Sequence, residues 1–192
     1  MNSLLRQVAP SATDMIRLDH THTTSLFHHY KRDSSPSQIQ GIVEQICLAL
    51  EIHAQLEEEI FYPAAAAAAQ EGPLTEKLTD EQHHMRTHIA ALRAGTPGSP
   101  EYEEQLMKLM REVFHHVAEE ETVLIPAAEL ALGNDRLKEL GAQMTKRRME
   151  LTAPKAGTLV TSMAKSAPAT FAVLVAGTLI GASYFAKRAW AR

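Results

Sequence analysis

Four stretches of this chain place mostly apolar side chains at alternating intervals of three and four residues, the spacing of an α-helix with one buried face. The predicted inward positions are Ile16, His20, Thr23, Phe27 and Tyr30; Val43, Ile46, Leu50, His53, Glu57 and Ile60; Leu78, Gln82, Met85, Ile89 and Leu92; and Leu106, Leu109, Val113, His116, Glu120 and Val123. Short connections rich in Pro, Gly and Ser separate the stretches, so neighbouring helices should run antiparallel. We therefore predict an all-α protein with an up-down-up-down four-helix bundle over residues 12–132.

The second half of this pattern repeats the first. Adding 63 to each inward position of the second stretch gives the fourth stretch, and adding 62 to those of the first gives the third. We expect two similar helical hairpins, each of which supplies half of any central site. One position breaks the repeat, because His20 corresponds to Gln82.

Several of the inward positions are histidine or glutamate, which cost free energy in a core unless they are neutralised. The pair His53 and Glu57 recurs as His116 and Glu120, and His20 lies in the same register. A single inward His–Glu pair is most often a structural hydrogen bond, but two duplicated pairs with a third histidine favour a metal site. Imidazole nitrogen suits iron, zinc or copper, and a carboxylate can bridge two cations.

With these motifs the chain resembles the hemerythrin-like (HHE cation-binding) domains over roughly residues 12–132. The resemblance is carried by Asp19-His20 followed by Leu26-Phe27 and Tyr30, by the segments from His53 to Pro63 and from His116 to Pro126, and by the stretch from Pro97 to Glu121. It implies a non-haem di-iron centre in the core of the bundle. Two irons are expected, or one if a ligand has been lost.

The resemblance also implies a role for each inward polar residue. His20 and His53 would bind one iron and His116 the other, while Glu57 and Glu120 would be the bridging or shared carboxylates. The family normally supplies a further histidine early in its third helix, in a Glu-His pair.

This chain has Glu81-Gln82 at that place, followed by two histidines. Three outcomes are open: a π-bulge turns His83 inward, Gln82 binds weakly through its amide oxygen, or the second iron is lost. We favour His83, since π-bulges are common near functional sites. His84 lies about two 100° steps from the inner face and should be exposed.

The remaining polar residues are expected to act around the site rather than in it. His22, His28, His29, His88 and His115 lie off the inner faces. A set of glutamates should form a solvated face from which one member could orient an imidazole: Glu58, Glu59, Glu119 and Glu121. A mainly apolar pocket, which would admit dioxygen and exclude anions, should be lined by Thr23, Phe27, Met85 and Ile89.

The C-terminal part predicts a short amphipathic helix at 133–153, a linker at 154–166 and an uncharged, twenty-residue apolar stretch at 167–186. That length can span a bilayer as a helix, and the GxxxG pair Gly177 and Gly181 could join two copies. The alternative is a helix buried against a partner or a second copy.

The composition of the chain limits the classes of partner and the compartments that we expect for it. The net charge of −4 lacks the basic excess of a typical nucleic-acid-binding protein. The lone cysteine, Cys47, allows no internal disulfide and fits a reducing compartment. We expect a cytoplasmic bundle anchored to the membrane, with a soluble cytoplasmic protein as the alternative.

Three functions follow, in order of preference. The first is a non-catalytic di-iron protein that binds or senses dioxygen, nitric oxide or iron. The second is a di-iron enzyme that turns over peroxide, nitric oxide or ferrous iron. The third is a metal-depleted interaction module.

Overall fold

The computed structural model describes residues 9–69 and 72–169, and no strand occurs in these ranges. A five-residue π turn, Glu57–Phe61, follows the second helix, and another, Glu120–Leu124, follows the fifth. A 3₁₀ turn, Ala153–Lys155, precedes the last helix. The α-helices are α1 (Ala12–His29), α2 (Pro36–Leu56), α3 (Tyr62–Ala69), α4 (Gly72–Ala94), α5 (Pro100–Glu119), α6 (Ile125–Thr152) and α7 (Ala156–Ser166).

Serine caps define where the main helices begin. The side chains of Ser11, Ser35 and Ser99 each accept a hydrogen bond from a backbone N–H of the first turn of α1, α2 and α5. Proline follows directly in α2 and α5, where the missing N–H would have no partner in any case. These starts keep the α1–α2 and α4–α5 connections short, as the sequence predicts, and produce two helical hairpins.

The core consists of two apolar clusters. One lies near the π turns and contains Ile16, Leu56, Phe61, Leu78, Leu124, Ile125, Leu140 and Met144, among others. The other lies toward the α1–α2 and α4–α5 connections and contains Phe27, Ile46, Leu50, Met85, Ile89, Leu106, Leu109 and Val113, among others. The buried histidines and glutamates predicted from the sequence belong to neither cluster.

Each π turn shifts the inward face by one residue. Val123, predicted to face inward, is 45% exposed, whereas Leu124 is fully buried. Likewise Ile60 is half-buried and Phe61 is fully buried. The predicted positions are wrong here because a π turn contains one more residue than an α turn.

Beyond the bundle, the chain turns sharply at Gly133, which has the left-handed φ of 70°. Residues 134–166, here called the C-terminal arm, fold back onto the bundle. The second half of α6 crosses the start of α1 so closely that a Cβ at Gly141 would lie 2.0 Å from the backbone oxygen of Pro10.

The prediction of a linker at 154–166 is wrong, because α7 forms there and packs antiparallel to α2. Lys155 contacts Glu51, and Lys165 contacts Gln40. Pro154 lies in the first turn of the 3₁₀ segment, where proline does not break a helix. A Cβ at Gly41 would come within 2.6 Å of the α7 backbone, so the two helices touch through this glycine.

Within residues 9–69 and 72–169, no helix is long and apolar enough to cross a membrane. The predicted span at 167–186 lies outside the described residues from 170 onward, as do Gly177 and Gly181.

Candidate metal centre

A layer of buried polar side chains crosses the bundle between the two apolar clusters. Every member is no more than 6% exposed. Five of the predicted ligands belong to it, and helices α1, α2, α4 and α5 and both π turns contribute. The layer consists of His20, His53, Glu57, Gln82, His116 and Glu120, with Tyr62 at the start of α3.

The two buried carboxylates form the middle of the layer. Nε2 of His53 lies 3.1 Å from Glu57, and Nε2 of His20 lies 3.1 Å from Glu120. One ligand atom from each of these four residues lies within 4.8 Å of the others. Nε2 of His116 is 3.6 Å from Glu120. The structure therefore brings together donors that could hold a cation.

Tyr62 is a site residue that the predicted periodicity did not place inward. Its hydroxyl donates a hydrogen bond of 2.6 Å to Glu120 and lies 3.3 Å from both Glu57 and Nε2 of His116. The extra residue of the first π turn brings Tyr62, five positions after Glu57, back to the layer. Its counterpart in the repeat is Ile125, which has no polar group.

Gln82, rather than His83, faces the layer. α4 is α-helical throughout Gly72–Ala94, and a step of about 100° leaves His83 exposed. The prediction that His83 turns inward is therefore wrong. The amide nitrogen of Gln82 donates to Glu57 at 2.7 Å and to the Tyr62 oxygen at 3.0 Å.

Each imidazole of the layer has a second carboxylate at its outer nitrogen. In metal sites such partners fix the tautomer and leave the other nitrogen free for the ion. Glu121 belongs to the glutamates predicted to be able to orient an imidazole, but the other two partners were not anticipated. The Nδ1 contacts are His20 to Glu121 at 2.8 Å, His53 to Asp19 at 3.4 Å and His116 to Glu81 at 3.0 Å.

These outer contacts follow the sequence repeat. Asp19 and Glu81 are 62 residues apart, as His53 and His116 are 63 apart. Glu58 is the counterpart of Glu121, but it binds Arg86 at 2.8 Å through both carboxylate oxygens. Gln82 offers no imidazole for Glu58 to orient.

Without a cation, the layer does not favour ionisation of both of its carboxylates. Burial raises the pKa of Glu57 well above its usual range, and the charge of Glu120 raises it further. Burial also disfavours ionisation of Glu120, but the hydrogen bond from His20 and the charges of the imidazoles outweigh it and lower the pKa. A bound cation would favour ionisation of both carboxylates.

Three buried atoms show that the residues fit such a cation. Nε2 of His53, Oε1 of Glu57 and Oε1 of Gln82 have no hydrogen-bond partner among the described residues. The contact of His53 with Glu57 is short but is not aligned as a hydrogen bond. Buried polar atoms nearly always have a partner, and these can all donate a lone pair to a metal.

A small cavity of about 20 Å³ adjoins the layer, which is room for one water-sized molecule. His20, His53, Gln82 and His116 line one side of it. The rest of the surface is mainly apolar and includes the predicted Thr23, Met85 and Ile89, together with Leu50 and Val113, although the charged residues Glu51 and Arg86 also line it. Phe27 does not line it and packs against Phe114 instead.

The second histidine–carboxylate group, Glu81, His115 and Glu119, lies at the surface. The ammonium group of Lys77 lies 2.5 Å from Glu119 and 3.5 Å from Glu81, and so neutralises these carboxylates. This group needs no ion.

Comparisons with known proteins show what this chain is similar to. A protein of Nostoc sp. named DNA nickase is 32% identical over 126 residues, which cover 66% of this chain but only 36% of that protein. Rv2633c of Mycobacterium tuberculosis is 27% identical over 144 residues, which cover 73% of this chain and 87% of the relative. The crystal structure of a hemerythrin HHE cation-binding domain-containing protein from Mycobacterium kansasii, an Rv2633c homologue, superposes with a TM-score of 0.67.

The alignment with that structure covers 78% of this chain and 92% of the Mycobacterium kansasii chain at 21% identity. It shows that the two chains have a similar fold. The present chain spans about a third of the length of the Nostoc protein. The family description "Hemerythrin HHE cation binding domain" matches residues 11–128, which include every member of the buried layer. The chain therefore belongs to the hemerythrin HHE cation-binding family.

Proposed function

We propose that the buried layer is a non-haem iron centre that binds dioxygen or another diatomic molecule. The observation that carries this proposal is the 20 Å³ cavity, which touches three imidazoles and is otherwise mainly apolar. An uncharged diatomic molecule fits such a space, whereas a larger substrate does not. Iron would supply reversible coordination or electron transfer to that molecule.

The donor atoms suggest two iron positions. His20 and His53 would hold one ion. His116, with the unpaired amide oxygen of Gln82, would hold the other, and Glu57 and Glu120 would be shared. The side of the layer with Gln82 is poorer in nitrogen, so the second ion should bind less tightly.

Metal content tests the proposal. In chain purified without air, we expect about two irons per chain under saturating ferrous iron and a change in the visible spectrum when dioxygen is admitted. His53→Ala should abolish the spectral change, while the exposed control His28→Ala should leave it intact. A chain that retains no iron in these conditions, or whose spectrum is indifferent to dioxygen, would contradict the proposal.

Turnover of hydrogen peroxide is a second candidate, and Tyr62 favours it. Burial raises the pKa of this phenol well above its usual range, and the neighbouring Glu57 and Glu120 raise it further. Tyr62 thus holds a proton 2.6 Å from a carboxylate of the centre. The phenol stays protonated and can donate a hydrogen bond that stabilises negative charge on a peroxide oxygen as the O–O bond breaks, which simple carriage does not need.

Tyr62→Phe is expected to slow peroxide consumption by about a hundredfold, the lower end of the range for loss of a hydrogen-bond donor to developing negative charge. The iron content should stay unchanged. Tyr30→Phe is the matched control, since Tyr30 lies at the end of α1 and outside the layer. Equal rates for the two variants would exclude a role for Tyr62, and loss of iron would identify Tyr62 as a ligand instead.

Membrane attachment through residues 167–186 and pairing of two copies through Gly177 and Gly181 remain predictions from the sequence. α7 runs antiparallel to α2 and ends near Gln40. The proposed anchor would thus leave the bundle at the end that carries the α1–α2 and α4–α5 connections.

A further inference from the structure

We infer that the C-terminal arm supports the metal centre through Arg148, which holds Asp19 against His53. This inference rests on the proposed function, because it assigns an outer support to the same site. Arg148 is a positioning residue and touches no proposed ligand itself.

The three residues form a continuous chain of contacts from the arm to the layer. Nη1 of Arg148 donates a hydrogen bond of 2.8 Å to one oxygen of Asp19, and Nη2 donates to the other. The second oxygen also lies 3.4 Å from Nδ1 of His53. Because a paired guanidinium and carboxylate hold each other in one plane, Arg148 determines which way Asp19 faces.

The contact differs from those at the other two imidazoles of the layer. Glu121, the partner of His20, is 40% exposed. Glu81, the partner of His116, is supported by Lys77 from the same helix, at 3.5 Å. Among the described residues, the outer carboxylate of His53 is the one that is held from outside residues 11–128, the part that matches the family. Arg148 thus supports the site from outside the part of the chain that matches the family.

The arm packs closely on the bundle along α2. Backbone contact at Gly41, the Lys155–Glu51 pair and the hydrogen bond from Gln45 to Ser166 hold α7 against α2. A cavity of about 360 Å³ remains between arm and bundle, and both Asp19 and Arg148 line it. Without the guanidinium of Arg148, Asp19 has room to turn from His53 toward this space.

Two neighbouring arginines provide a matched test in the full chain. Arg148→Gln removes the support of Asp19. Arg147→Gln removes an equally exposed arginine of the same helix, which binds the surface residue Glu59. Affinity for ferrous iron is measured without air by competition with a chelator, together with the absorption spectrum and the unfolding temperature.

Arg148→Gln is expected to weaken iron binding about tenfold, the lower end of the range for outer partners of metal ligands, and to shift the absorption bands. Arg147→Gln should match the parent in both. Asp19→Asn should reproduce the effect of Arg148→Gln, with little further loss in the double variant, and Arg148→Lys should restore part of the affinity.

Equal iron affinities and spectra for Arg148→Gln and Arg147→Gln would overturn the inference, as would fully additive losses for Asp19→Asn and Arg148→Gln. If Arg148→Gln fails to fold, the iron affinity of Asp19→Asn decides. A loss of affinity supports the inference, and an unchanged affinity overturns it. The proposed function would survive these results as long as the parent binds iron. A parent that binds no iron would instead refute the proposed function, and this inference with it.

Discussion

Replacing Glu57 by glutamine is expected to make the metal-free protein more stable and to disable the metal centre. In the absence of a cation, burial and the charge of Glu120 oppose ionisation of Glu57. A neutral amide avoids this cost and can donate to Glu120 in place of the carboxylic proton. We expect a gain of about 1–3 kcal/mol in the free energy of unfolding at pH 7. Iron affinity should fall about a hundredfold or more, since a ligand is lost.

The pH dependence of the free energy of unfolding shows why Glu57→Gln should be the more stable chain at pH 7. A glutamate whose pKa is raised in the folded state supports folding only below its ordinary pKa of 4.5, and the support is lost as the pH rises. The metal-free parent and Glu57→Gln should therefore be similarly stable near pH 4. The gap should open as the pH rises toward neutrality, as measured by urea unfolding in the presence of a chelator.

Glu59→Gln is the control, because Glu59 belongs to the same π turn but binds Arg147 at the surface. Its effect should be small and should not favour the variant at pH 7. A metal-free Glu57→Gln chain that is less stable than the parent at pH 7 would show that Glu57 has a structural role and is not held there for a cation.

Gln82→His is expected to strengthen binding of the second iron about tenfold, because it adds an imidazole to the side of the layer that is poor in nitrogen. Gln82 corresponds to His20 in the sequence repeat and is equally buried. The substitution also removes two hydrogen bonds, to Glu57 and Tyr62. The metal-free variant should therefore lose about 1–2 kcal/mol of stability.

The measurement is an anaerobic titration that resolves the two binding steps, followed by the spectrum. His83→Gln is the matched control: this neighbouring side chain is exposed and should leave both steps unchanged. Loss of a step in His83→Gln would mean that α4 rearranges on binding and that His83 turns inward after all. An unchanged second step in Gln82→His would exclude position 82 from the centre.

The sequence predicted the helices of the bundle and most of the buried layer because these depend on a regular period. The period of 3.6 residues holds from Ile16 to Phe27 and from Leu78 to Leu92, and all inward positions there are buried. It also holds as far as Glu57 and Glu120. The two glutamates were found for that reason, although each begins a π turn.

What the sequence did not predict follows from departures from that period. A π turn has no composition that distinguishes it from an α turn. The pattern therefore could not show that Leu124 faces inward in place of Val123, or that Tyr62 faces inward. We expected the irregularity in α4, where a ligand was missing. It lies instead at Glu57 and Glu120, two of the predicted ligands.

Within the C-terminal arm, α7 was missed for a different reason, whereas a helix over 133–153 was predicted. Pro154 and Gly157 suggested a linker, but a proline in the first turn of a helix does not prevent one. α7 also packs on α2 through Gly41 and has few large apolar residues of its own. Such close backbone contact leaves little hydrophobic signal in the sequence.

The two π turns occur at equivalent positions, Glu57–Phe61 and Glu120–Leu124, in the two halves of the chain. The same one-residue insertion occurs at the same place in both copies. The simplest explanation is that the insertion arose before the duplication. The ancestral hairpin would then have assembled as a twofold pair, with two identical halves of a centre on its axis. The pairs His20/Gln82 and Tyr62/Ile125 record where the copies have since diverged. Fusion into one chain thus allowed a symmetric site to acquire two chemically different ends, which two identical subunits could not have evolved.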